Sequence, residues 1–104
     1  MIAVIFEVWM RAGRDHEYFD LAAALRPELE KIDGFVSVER FRSMTTEGKY
    51  LSLSIWRDEA AVAAWRAHAE HRAAQARGKA DIFADFRIRV AGVIRDYSLA
   101  DRPA

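Results

Sequence analysis

Residues 2 to 10, "IAVIFEVWM", form a β-branched and aromatic run broken only by Glu7. The run is too short for a good helix and suits a pleated surface, so it predicts a first strand over Ile2 to Met10. After the turn "RAGRD" the period changes, because Tyr18, Leu21, Ala22, Leu25, Leu29 and Ile32 recur at three- and four-residue spacing. That stripe predicts a helix with one apolar face, with Asp15 as its N-cap and Glu17 in its first turn. Pro27 removes a backbone donor from the interior and predicts a kink or a restart near residues 23 to 27. "DGF" at 33 to 35 stops the helix, with Gly34 able to take the left-handed conformation at its end.

Polar and apolar side chains alternate again from Phe35 to Met44, "TTEGK" supplies a turn, and Tyr50 to Arg57 resumes the alternation, which together predict a hairpin. Asp58 is the expected cap of an alanine-rich helix running to about Gly78. "KADIFADF" is expected to add a short helical segment, and Arg87 to Tyr97 to form the last strand. Residues 99 to 104 read as a polar tail that frays, leaving one domain over residues 1 to 98. The order β-α-β-β-α-β is the α+β, ferredoxin-like pattern, two helices on one face of a four-stranded antiparallel sheet. Both faces of its strands are apolar: Val4, Phe6 and Val8 alternate with Ile5 and Trp9, and Leu51, Leu53 and Ile55 are flanked by Tyr50 and Trp56. A monomer would leave the second face wet, so the pattern predicts a two-fold homodimer.

The chain has 104 residues and 52% hydrophobic content, enough for a single core. Its sixteen basic and sixteen acidic residues cancel, so there is no global field to draw it to nucleic acid or an anionic membrane, and neither is an expected partner. The absence of cysteine excludes a disulfide framework, a thiolate metal site and a cysteine nucleophile. No apolar run approaches the roughly 20 residues that span a bilayer. The expectation is a soluble, cytoplasmic protein.

Three stretches, "DGFVSVERF", "LSLSIWRDEAAVAAWRAHAEHRAAQARG" and "VIRDY", resemble the antibiotic biosynthesis monooxygenase (ABM) family in matching order. The most specific part is the strand-to-helix junction, with Trp56 ending a strand, Asp58 as an acidic cap, and Trp65 nine residues later followed by His68 and His71. The resemblance implies dimers whose sheets pack into a shared α/β barrel, with a substrate pocket in each subunit between sheet and helices. It also implies cofactor-independent oxidation of aromatic polyketides or quinols, or haem breakdown, or no catalysis at all. The haem-degrading branch uses an asparagine on the first strand, a tryptophan on the second helix and a haem-ligating histidine ten residues on. Here the tryptophan matches Trp65, the histidine position is Gln75, the first-strand position falls near Phe6 or Glu7, and no asparagine occurs in the chain. Haem degradation in that manner is therefore disfavoured, and no bound cofactor is expected.

On a helical wheel with Trp65 at the origin, Val62, Ala69 and Ala76 fall on one buried stripe, Arg72 near its edge, His68 and Gln75 further to the same side, and His71 beyond them. An aromatic wall bordered by an imidazole and an amide suits a planar phenolic or quinol substrate. The expected catalytic residues are His68 first and His71 second, since imidazole titrates near neutrality. Trp65, Arg72, Gln75, Phe6 and Trp56 are the expected substrate contacts. Each has a plainer reading: Trp65 as a core anchor, His68 as a boundary residue bonded to its surroundings, and His71 as solvated. The His68/His71 spacing suits two ligands of one metal, but no third ligand is evident, so no metal site is expected. Two functions follow. One is a small cofactor-independent monooxygenase acting with dioxygen on an aromatic, polyketide- or quinol-like substrate. The other is a non-catalytic dimeric small-molecule-binding or stress-associated protein of the same fold.

Overall fold

A computed structural model describes residues 1–75 and 82–101, the side chains of residues 70–75 excepted. The elements are β1 (Ile2–Met10), α1 (Asp15–Glu30), β2 (Phe35–Arg42), β3 (Lys49–Trp56), α2 (Glu59–Gln75) and β4 (Phe83–Gly92). The four strands form one antiparallel sheet in the order β2-β3-β1-β4. This is the expected ferredoxin-like arrangement, in which the two strands that begin and end the chain lie side by side.

Register decides which side chains meet the helices. Ile2, Val4, Phe6 and Val8 stand opposite Trp56, Ser54, Ser52 and Tyr50 on β3, and opposite Gly92, Val90, Ile88 and Phe86 on β4. This row packs under the helices in two clusters. Leu29, Val38, Trp56, Ala61 and Val62 make one, with Trp65 against it; Val8, Met10, Tyr18 and Ile82 make the other, with Phe6 and Phe83 against it. The alternate row, with Ile5, Leu53 and Ile55, faces away, so the sheet has two apolar faces and both helices pack on one of them.

A bulge between Phe35 and Ser37 interrupts the pairing of β2 with β3. Phe35 lies opposite Trp56 and Val38 opposite Ser54, so both belong to the helix-facing row although they are three positions apart. One extra residue shifts everything after it to the other face. Arg40, opposite Ser52, is thereby carried to the helix side.

Several expected boundaries are corrected. α1 runs unbroken through Pro27, without the predicted restart. The carbonyl that Pro27 cannot satisfy belongs to Ala23, and both residues are exposed, so water can serve it. The N-cap is Arg14 rather than Asp15, and it makes no side-chain cap bond. Asp15 is the first helical residue, and its carboxylate accepts a hydrogen bond from the Tyr50 hydroxyl. Residues 83–86, expected to be helical, begin β4, which ends at Gly92 rather than Tyr97; residues 79–81 and the expected helical stretch 76–78 lie outside the described residues. Spacing misled here, because Ile82, Phe83 and Phe86 fit a helical period as well as a strand entering a sheet edge. The cap of α2 is as expected: Asp58 Oδ1 accepts the Ala61 amide at 2.9 Å.

Gly34 fastens the end of α1 to the start of α2. Its φ is +93°, its carbonyl accepts the Arg57 amide at 2.7 Å, and a Cβ at this position would lie 2.7 Å from the Cβ of Ala61. Only glycine takes this backbone conformation and this close approach without strain.

Candidate active site

A cavity of about 340 Å³ lies between the two helices and the sheet, within the range of small-molecule sites. Its floor is the helix-facing row of the sheet, and α1 and α2 form its roof. One end is tryptophan-lined. Trp56, 1% exposed, stacks on Trp65 at 6.5 Å between ring centroids, and its indole N–H donates to Ser54 Oγ at 2.9 Å. Trp65 in turn stacks on the imidazole of His68 at 5.6 Å, and His68 Nε2 lies 3.2 Å from Glu28 Oε1 on α1. A column of three rings therefore ends on a carboxylate that ties α2 to α1.

The opposite end is built from α1 and β2. Tyr18, 4% exposed, sits edge-on to Phe83, with the guanidinium of Arg40 5.9 Å from its ring centroid. Neither the Tyr18 hydroxyl nor Arg40 Nε, both buried, has a hydrogen-bond partner among the described residues. An unpaired buried polar group costs about 1–3 kcal/mol, so both count against the stability of the empty chain. The mouth runs along β4, where Ile88 and Val90 line the cavity and remain 54% and 45% exposed.

Of the expected site residues, Phe6, Trp56 and Trp65 line this cavity together. His68 lies one ring away, stacked on Trp65 and absent from the described lining. The side chains of His71, Arg72 and Gln75 lie outside the described residues. No group of three or more metal-ligating side chains occurs among the described residues. Tyr18, Arg40, Ser52 and Ser54 also line the cavity and were not singled out from the sequence as site residues. Tyr18 carried a signal, its place in the α1 stripe, but a stripe does not reveal that a hydroxyl goes unpaired. Arg40 carried none, because an arginine in "VSVERFR" reads as solvent-facing until the bulge is known.

Electrostatics are concentrated at the junction beside Trp56. Arg57 donates to both carboxylate oxygens of Asp33, at 3.1 and 3.2 Å, and to Asp58 at 3.1 Å. Hydrogen bonding from Arg57 holds the Asp33 carboxyl below the usual range, and the Ala61 amide together with Arg57 does the same for Asp58. These groups are exposed, so they clamp the two helix ends without adding much to stability.

With a substrate-sized, aromatic-walled cavity between sheet and helices, the class is a small-molecule enzyme or binder on a ferredoxin-like frame. The family model described as antibiotic biosynthesis monooxygenase matches residues 1–77, and the chain belongs to that family. A jasmonate monooxygenase of the fungus Pyricularia oryzae is 42% identical over 93 residues, covering 89% of this chain and 43% of that relative, so the chain spans less than half of its length. An uncharacterized protein of Bacillus subtilis is 31% identical over 89% of this chain and 79% of its own length. Among solved structures, a heme-degrader of Mycobacterium tuberculosis with two hemes bound in its active site superposes with a TM-score of 0.72 at 22% identity, covering 94% of this chain and 100% of that one. At that identity the likeness concerns the fold.

Proposed function

We propose that this chain is a small monooxygenase that holds a planar, aromatic, polyketide- or quinol-like substrate against Trp65 and oxidises it with dioxygen. The supporting observation is the cavity itself, walled by Phe6, Trp56 and Trp65 in a chain of this family. In this reading the substrate supplies the electrons. In an anthrone-like substrate, a methylene activated by a neighbouring hydroxyaryl or carbonyl group loses a proton to become a carbanion, which dioxygen oxidises. The methylene carbon ends as a carbonyl carrying one atom of the dioxygen, and the other atom leaves as water with the two hydrogens the carbon has lost. The protein contributes shape, exclusion of water and orientation. His68 acts as a positioning residue: held by Glu28, it braces the outer face of Trp65. A haem reading has less support, because the described lining offers no histidine, cysteine or methionine as an iron ligand and leaves Tyr18 as the one residue of an axial-ligand type.

The active form in this proposal is a homodimer. β4 is exposed along its length, with Phe86, Ile88 and Val90 on its helix-side row, and Ile94, Tyr97 and Leu99 follow it into solvent. A second copy over this edge would bury those side chains and roof the cavity mouth.

Oxygen uptake with a panel of anthrones and naphthohydroquinones tests the chemistry. Saturable consumption well above the uncatalysed rate, strongly reduced in Trp65→Ala, is expected. Background rates across the panel would favour the alternative of a non-catalytic small-molecule binder, which the absence of asparagine from the chain already supports. Replacing His68 by alanine is expected to raise KM more than it lowers kcat. A single-subunit mass at micromolar concentration would end the dimer proposal.

A further inference from the structure

We propose that Tyr18 and Arg40 form an anion-recognition pair, and that the molecule occupying the cavity is an amphipathic carboxylic acid whose acid group docks there while its apolar body reaches toward Trp56. Three observations converge on this assignment.

The Tyr18 side chain is more than nine-tenths buried, yet its hydroxyl has no partner among the described residues and it lines the cavity. Arg40 lines the same cavity with Nε buried and without a hydrogen-bond partner among the described residues, and its guanidinium lies 5.9 Å from the centroid of the Tyr18 ring. Of the two other arginines that line the cavity, Arg26 is held by Glu30 and Arg66 stands on α2, in the roof. Arg40 is the arginine of the cavity floor, and it is placed there by the β2 bulge rather than by the surface alternation of its strand.

A phenol hydroxyl beside a guanidinium is a set of donors, and donors in an apolar cavity select an acceptor. The planar guanidinium fork matches the two oxygens of a carboxylate better than a single phenolate or enolate oxygen. Dimensions fit as well. Arg40 is in register with Ser52, which lies four residues along β3 from Trp56, or about 13 Å at the rise of a strand. Between those rows the floor is Val4, Phe6, Val38 and Ser54, sparing in polar groups. A bicyclic or short-chain apolar body with a terminal acid spans that interval. The assignment rests on the cavity being the substrate site, as proposed above, but requires no oxidation step.

Binding of naphthaleneacetate, its primary amide and its methyl ester, followed anaerobically by quenching of tryptophan emission in the full chain, tests the pair. The acid is expected to bind about tenfold or more tighter than either neutral analogue. Arg40→Gln is expected to reduce acid affinity to that of the amide while leaving the amide within about twofold, and Tyr18→Phe to remove part of the preference. Arg40→Lys, which keeps the charge and loses the fork, is expected to fall between and carries the test where Arg40→Gln does not fold. Equal binding of acid and ester, no saturable binding of the acid, or an acid preference that survives in both Arg40→Gln and Tyr18→Phe would overturn the proposal. Loss of oxygen uptake with the acid preference intact would remove the oxygenase alone. Turnover of neutral anthrones without acid preference would remove the anion pair alone.

Discussion

The two ends of the cavity are built on opposite plans. At the Trp56 end the indole N–H has Ser54, Arg57 has Asp33 and Asp58, and Asp58 has the Ala61 amide. At the Tyr18 end a phenol hydroxyl and a guanidinium N–H are buried with nothing to bond among the described residues. The first end is complete within the protein, whereas the second lowers the stability of the empty chain and is completed by a guest. Folding and binding therefore draw on different residues of one cavity, and the difference can be measured.

The largest effect should come from the completed end. Trp56→Ala removes the ring against which Trp65 and Phe35 pack and should cost about 3–5 kcal/mol in chemical denaturation. A loss below about 1 kcal/mol would show that the stacked column adds little to the core. Gly34→Ala comes next. Its positive φ and the 2.7 Å approach to Ala61 should together cost about 1–3 kcal/mol, read as a lower denaturation midpoint. At the incomplete end the sign reverses. Tyr18→Phe deletes an unpaired hydroxyl and keeps the ring, so the empty protein should be unchanged or up to about 1 kcal/mol more stable. A clear loss of stability would erase the contrast between the ends.

The smallest effect is acid sensitivity at the Trp56 end. The Asp33 and Asp58 carboxyls both titrate below their ordinary value of 3.8 in the folded chain. Folding thus favours their charged forms. This contribution is fully present above that value and is lost as pH falls through the lowered one. The melting temperature should hold between about pH 7 and pH 5 and decline slightly toward pH 3, less steeply in Asp58→Asn. A decline of equal slope in that variant would place the acid-sensitive groups elsewhere.

Much of this was legible in the residues. β1, the hairpin, the α1 stripe and the Asp58 cap follow from period and propensity, because each has one buried side that imposes its pattern on the sequence. β4 was harder to bound, since an edge exposed along both faces imposes no alternation, and its apolar residues continue past Gly92. The tryptophan end was legible through Trp56 and Trp65, large rings at a recognisable strand-to-helix junction. Tyr18 and Arg40 were not, because what distinguishes them is a missing partner, which is a property of three-dimensional neighbours rather than of spacing.

The extra residue in β2 acts on the strand as a frameshift acts on a gene. Upstream of it the helix-side letters are apolar; downstream the same face reads Val38, Arg40, Arg42. Removing one residue there would restore the original frame, turning Phe41 inward and sending Arg40 to the far face of the sheet. The cavity would lose the cation of its floor and keep Arg26 and Arg66 on the helices. A single-codon deletion at Val36 would thus take the guanidinium away from Tyr18, which makes this bulge a point where chains of the same architecture can diverge in what they accept.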